Sequence, residues 1–192
     1  HWTWHPDGFL NKWGVLDFAG GAVVHISAGF ASLAGAIYLG KRKFKHLKSY
    51  NTSYVLLGTG MLWFGWFGFN SGSALGANED AILAFVTTNT ASAICMISWL
   101  VIEGIKGHKI KVIDACIGAV VGLVIITPAA GFVNISQSMF MGAIGAVICN
   151  LFLDFFKRFD IDDSLDVFAC HGMGGIVGLL LTGIFAKDVG LF

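Results

Sequence analysis

The sequence is poor in charge. Asp, Glu, Lys and Arg make up only 12% of its 192 residues, about half the share carried by a soluble domain. Twelve basic and twelve acidic side chains cancel to a net charge of zero, which removes any electrostatic case for binding nucleic acid. Proline is nearly missing, with two residues, and the composition has too little polarity for disorder. The cysteines lack a pattern: Cys95, Cys116, Cys149 and Cys170 fall at irregular spacing within apolar stretches, without a CxxC pair. A disulfide framework or a cysteine metal site does not follow from that spacing, and each thiol reads as a small apolar packing residue. No cofactor or metal is expected. The opening His1-Trp2-Thr3-Trp4-His5 has neither an initiator Met nor a basic leader region, so the chain is expected to be part of something longer.

What is abundant is apolar surface and glycine. Hydrophobic residues form 56% of the chain, glycine contributes 26 residues, and the mean hydropathy is +0.75. Small residues let membrane helices approach closely. A spanning helix needs roughly 20 apolar residues, and six runs approach that length: Val15–Gly40, Ser53–Asn70, Ala81–Gly104, Val112–Pro128, Gln137–Phe156 and Val167–Ala186. The pattern predicts an all-α integral membrane protein of six spans, residues 1–192 forming one unit with the lipid bilayer as its solvent.

The basic residues predict its orientation. Lys41, Arg42, Lys43, Lys45 and Lys48 follow the first run, Lys106, Lys109 and Lys111 the third, and Lys157 and Arg158 the fifth. Cytoplasmic loops are enriched in Lys and Arg, so these alternate loops are expected inside and both chain ends outside.

Polar groups inside a membrane are costly and mark functional sites. The first span carries Asp17 at its outer end and His25 eight residues on; the last is entered past Asp166 and carries His171. Sixteen residues separate His25 from Lys41, and sixteen separate His171 from Lys187. Gly29 and Gly175 share an offset of four from their histidines, and Leu33 and Leu179 an offset of eight. Matched helices of opposite direction are the mark of an inverted-topology repeat, which places its conduction site near the midplane. A lone histidine in an apolar span is more often a packing residue, but two on matched spans point to a shared site. Asp17 and Asp166 read mainly as caps, because a carboxylate at a helix start accepts orphan backbone N–H groups. In the second span, Trp63, Phe64, Trp66, Phe67 and Phe69 put five rings within seven residues, ahead of Ser73. An interfacial belt needs one or two rings; aromatic faces also attract cations, more strongly when desolvated, so a cation site is the sharper reading.

Three segments carry a resemblance to a known family. Asp17-Phe18-Ala19-Gly20-Gly21-Ala22-Val23-Val24-His25, Trp66-Phe67-Gly68-Phe69-Asn70-Ser71-Gly72-Ser73 and Asp166-Val167-Phe168-Ala169-Cys170-His171-Gly172 resemble, in order, the signatures of the ammonium transporter (Amt/Mep) family. The similarity runs along essentially the whole chain. It implies that His25 and His171 are paired pore histidines, with Trp66 lining the pore beside them and Phe69 stacked over its outer end. Ser73 and Trp4 would line an outer ammonium site, with Trp2 a rival for the place of Trp4, and Asp17 would support that vestibule. The Rh branch is less similar, since it lacks the tryptophan and serine of the outer site.

The resemblance further implies an eleven-helix fold of two inverted five-helix repeats plus a final helix, assembled as a homotrimer with a pore in each subunit. The six spans then correspond to the fifth to tenth helices. The implied function is transmembrane passage of ammonium or ammonia in the plasma membrane, with a PII-type regulator on the cytoplasmic face of many prokaryotic members. An ammonium sensor that transports little would show the same pore motifs. A third reading, an intramembrane hydrolase, has no nucleophile elbow or metal-ligand motif behind it; the chain is not expected to be an enzyme.

Overall fold

The computed structural model describes residues 1–43, 51–159, 161–187 and 189–191; Lys45 and Lys48 of the first basic loop lie outside them. A short helix α1 (Phe9–Lys12) precedes a π-helical turn (Gly21–Ile26) that continues as α2 (Ser27–Leu39). Then follow α3 (Thr52–Gly72), α4 (Glu79–Ile105), α5 (Val112–Ile126) and α6 (Ile135–Phe156). A second π-helical turn (Phe168–Met173) continues as α7 (Gly174–Phe185). Each apolar run of the sequence contains a helix. Four of them, Gly21–Leu39, Glu79–Ile105, Ile135–Phe156 and Phe168–Phe185, are long and apolar enough to cross a membrane by length and composition. Of the other two, α5 has 15 residues, and α3 interrupts its apolar residues with five glycines at 58, 60, 65, 68 and 72. The protein is an all-helical, multi-pass membrane protein.

Three helix starts follow from asparagine. Asn51 accepts the amides of Ser53 and Tyr54, Asn78 that of Ala81, and Asn134 exchanges bonds with Gln137 in a capping box. Each satisfies amides that the first turn of a helix leaves without carbonyl partners. The first span differs: residues 15–20 are not helical and the helix begins only at Gly21. Gly20 there has φ of 113°, a left-handed conformation that a side chain disfavours, and this kink turns the chain into the helix beneath Asp17.

The core is the packing of α4 against α5 and α6. Its buried members include Ala91, Cys95, Trp99, Val121, Ile125, Met141 and Cys149. Hydroxyls of α4 serve carbonyls of the adjacent segment, Ser92 donating to Ala119 O of α5 (2.9 Å) and Thr87 to Ala130 O beyond it (2.7 Å). The second of these matters, because α5 ends at Ile126 and Thr127, Ala129 and Ala130 are nevertheless fully buried. Irregular backbone at membrane depth is tolerated only when its polar groups are satisfied by protein. Here they are: Thr127 O accepts from Ala19 N, Pro128 O from Phe18 N and Ala129 O from Phe132 N. The segment leading to the first π-turn is thereby docked on the broken end of α5.

At the basic end, α4 and α6 are tied by a polar cluster. Lys106 donates to Asn150 and Asp154, Asn150 donates to Glu103 (2.8 Å), and His108 contacts Glu103 (2.7 Å). Arg42, just after α2, grips Asp162 through Nε (2.8 and 2.9 Å) and its backbone amide (2.8 Å).

Candidate functional site

The site lies where the two histidine-bearing spans cross. The first π-turn touches α7, and α2 touches the second π-turn, so the start of each span meets the later part of the other, as opposed directions require. Contact is made through small residues. A methyl on Gly29 would collide with the backbone of Gly172, and one on Gly175 would meet Gly21 O and Ile26 Cγ1 at 2.9 Å. Gly172 and Ile26 are the residues that directly follow the two histidines. The contacts are reciprocal about a pseudo-twofold axis.

Backbone approach on this scale brings the imidazoles together. Nδ1 of His25 lies 3.3 Å from Nδ1 of His171, with ring centroids 5.3 Å apart. His25 is 3% exposed, while His171 is half-buried. Trp66 stacks on His25 at 5.1 Å and 18°, and Phe69 at 5.9 Å and 29°. Apolar and aromatic walls hold the pair in a setting where a bare cation is strongly disfavoured and neutral molecules are not.

Asp17 holds the first π-turn from its end. Its Oδ1 accepts the amides of Gly20 (2.9 Å) and Gly21 (2.6 Å), and its Oδ2 those of Ala22 (2.8 Å) and Val23 (3.3 Å). All four lone-pair sites of the carboxylate are therefore occupied by backbone. Trp4 donates its indole N–H to Asp17 O (2.7 Å), which ties its ring to the same turn and leaves it half-exposed. Trp2 instead packs on Phe9 with the rings tilted at 55° and 5.4 Å apart, and is 68% exposed. Ser73 donates to Phe69 O (2.9 Å), so its oxygen keeps only acceptor lone pairs for a ligand.

Asp166 is placed differently from the cap its position suggests. It has φ of 54°, and burial pushes its carboxyl above the usual carboxylate range. The cap on the second π-turn is made by Asp163, whose Oδ2 accepts the amide of Phe168 (2.6 Å) and whose Oδ1 accepts the hydroxyl of Ser32 on α2 (3.2 Å). Asp163 precedes His171 by eight residues, the interval from Asp17 to His25; the equal spacing was the signal that could have found it. Thr127 is the other residue missing from the motifs. Fully buried, it accepts the Trp66 indole N–H (2.9 Å) and lies 3.3 Å from His25 Nε2.

Fold and site together define a polytopic helical membrane protein with an imidazole pair, one ring buried and the other half-buried, at the crossing of two inverted spans. A model of the Ammonium Transporter Family matches residues 1–190, and the chain belongs to that family. It is 52% identical over 187 residues to an ammonium transporter of Aquifex aeolicus, covering 97% of this chain and 44% of that protein. With the ammonium transporter of Bacillus subtilis the identity is 48%, over 97% of this chain and 46% of that one. The crystal structure of Saccharomyces cerevisiae Mep2 superposes with a TM-score of 0.90 at 42% identity, over 97% of this chain and 43% of that chain. A structure described as a sensor Amt protein superposes at 0.92 with 33% identity, over 98% of this chain and 50% of that chain. The chain thus spans about half the length of the relatives it matches, or less.

Proposed function

We propose that this chain is the histidine-bearing part of an ammonium transporter, corresponding to the fifth helix of one five-helix repeat and the five helices of its inverted partner. The observation that carries the reading is the pair of imidazoles 3.3 Å apart in an apolar, aromatic-walled crossing of two spans. Ammonium and potassium are alike in size and charge, and only ammonium can shed a proton. A dry passage lined by neutral imidazoles selects by that difference, since it carries ammonia at far lower cost than any cation.

The outer site supplies recruitment. The faces of Trp4 and Phe69 attract the cation, and the acceptor lone pairs of Ser73 receive one of its N–H groups. Ammonium then gives its proton to bulk solvent at the outer mouth and enters as ammonia beside Trp66 and the pair, where one ring nitrogen without a proton accepts a hydrogen bond from it. Asp17 acts through the turn it caps rather than on the ion. The alternating Lys and Arg loops support a cytoplasmic basic end with both ends of this chain outside, in the plasma membrane. Homotrimeric assembly and a PII-type partner at the basic face belong to the same reading.

His25→Ala or His171→Ala in the intact protein is expected to impair or deregulate conduction while outer-site binding is retained. Methylammonium uptake and selectivity against potassium left unchanged in both variants would sink the reading. The sensor reading has a specific observation behind it, the close superposition on the sensor protein. Uptake by the wild-type protein at transporter-like rates decides against it.

A further inference from the structure

The hydroxyl of Thr127 has three neighbours and one proton. Its oxygen lies 2.7 Å from Leu123 O, 2.9 Å from Trp66 Nε1 and 3.3 Å from His25 Nε2. An indole nitrogen only donates, so Trp66 takes one lone pair of the oxygen. The remaining question is whether the single O–H points at Leu123 or at His25. A separation of 2.7 Å is the usual length of an O–H···O bond, whereas 3.3 Å is long for a hydroxyl donor. The backbone agrees. The amide of Thr127 turns to Val124 O (3.2 Å) at the end of α5, so it does not serve Leu123 O, and the hydroxyl takes its place. A carbonyl left unpaired in this fully buried region would bear the full cost of its lost hydration. The hydroxyl therefore donates to Leu123, and His25 must donate to the hydroxyl. One donor and two lone pairs are then all used.

We propose that Thr127 is the positioning residue that fixes the tautomeric order of the histidine pair, with His25 protonated on Nε2 and His171 on Nδ1. The order follows along the chain of contacts. With its proton on Nε2, His25 presents a bare Nδ1 to His171, and the 3.3 Å contact between the two Nδ1 atoms needs one proton, which His171 supplies. Nε2 of His171 is left bare, and among the described residues it has no hydrogen-bond partner. It is the one proton-accepting nitrogen of the pair, while the Nε2–H of His25 is sealed by a hydroxyl whose own proton is held by a carbonyl. The consequence for conduction, that ammonia or a proton is accepted at His171 rather than at His25, rests on the transport reading; the tautomer assignment does not.

The test is 15N spectroscopy of the imidazoles in the intact protein, labelled on histidine, at a pH where both rings are neutral. Wild type is expected to show a protonated Nε2 and bare Nδ1 on His25, and the reverse on His171. Thr127→Ser, which keeps the hydroxyl, should retain that pattern. Thr127→Val, nearly isosteric without it, should shift the His25 resonances towards an average of the two tautomers. A wild-type His25 that is bare at Nε2, or a Thr127→Val spectrum identical to wild type, overturns the assignment. If Thr127→Val does not fold, the wild-type spectrum alone decides. The expected tautomers in a protein that shows no methylammonium uptake would leave the role of Thr127 standing and remove the transport reading instead.

Discussion

The two histidine-bearing spans are related by inversion, yet they are held in unequal ways. Both begin with a π-helical turn, both have a carboxylate eight residues before the histidine, and both place a glycine four residues after it against the opposite span. On the first span, Asp17 binds four successive amides of its own chain and Gly20 supplies the kink. On the last, Asp163 binds one amide and spends its other oxygen on Ser32 across the interface. The first histidine is locked by Trp66, Phe69 and Thr127; the second is half-buried. One half is a rigid seat, and the other depends on its neighbour for shape.

The sharpest way to break this comparison is to remove the two caps in turn. Asp17→Ala strands up to four amides in a poorly hydrated turn, and each buried unpaired donor costs about 1–3 kcal/mol. A loss on the order of 4 kcal/mol is expected, seen as failure to purify as a folded protein or as a large fall in thermal midpoint in detergent. Asp163→Ala removes a single amide bond and one hydroxyl partner, so about 1–2 kcal/mol is expected, in the range of an ordinary cap. Equal losses would mean that the inversion extends to energetics and that the asymmetry seen in the hydrogen bonds is unimportant.

The glycine contacts come next. Gly29→Ala drives a methyl into the backbone of Gly172, which cannot move without separating α2 from the second π-turn; overpacking of this kind costs about 1–3 kcal/mol. Gly175→Ala meets Gly21 O and Ile26 Cγ1 at 2.9 Å, a milder clash than that of a Gly29 methyl with the Gly172 backbone. Gly29→Ala is therefore expected to lower the thermal midpoint more, and to widen the histidine pair. The reverse order in paired unfolding measurements would show that the tighter contact is on the other side of the axis.

Much of this architecture is legible in the sequence, for physical reasons. Membrane helices must satisfy their backbone internally, so long apolar runs give spans directly, and polar residues within them stand out. His25, His171 and the matched glycines at 29 and 175 were visible on that basis. The π-turns were not, since an extra residue in a turn leaves no mark on hydropathy. Asp166 sits nearer the apolar run and so masks Asp163, although only Asp163 repeats the spacing of Asp17. Thr127 gave the faintest signal, a hydroxyl just before Pro128 at the end of a span. Its importance depends on α5 stopping at Ile126 and on α3 aiming Trp66 at it, facts of packing rather than of pattern.

The smallest effect concerns the link between Arg42 and Asp162, which has no counterpart hydrogen bond at the Asp17 end among the described residues. Hydrogen bonds from the Arg42 side chain and amide hold the Asp162 carboxyl below the usual carboxylate range, and the same contact raises the guanidinium. A depressed acid contributes stability above its ordinary pKa and loses it as pH falls through the lowered one. The pair is therefore intact at neutral pH and weakens only in acid. It is exposed and screened by salt, so Asp162→Asn should leave the thermal midpoint nearly unchanged. Its effect is expected in local motion: faster amide exchange over residues 161–168, reproduced in wild type by acid or high salt, with no change over residues 18–25. Exchange that rises equally in both segments would show that the two ends are held alike, and the contrast between a rigid seat and a dependent one would not survive it.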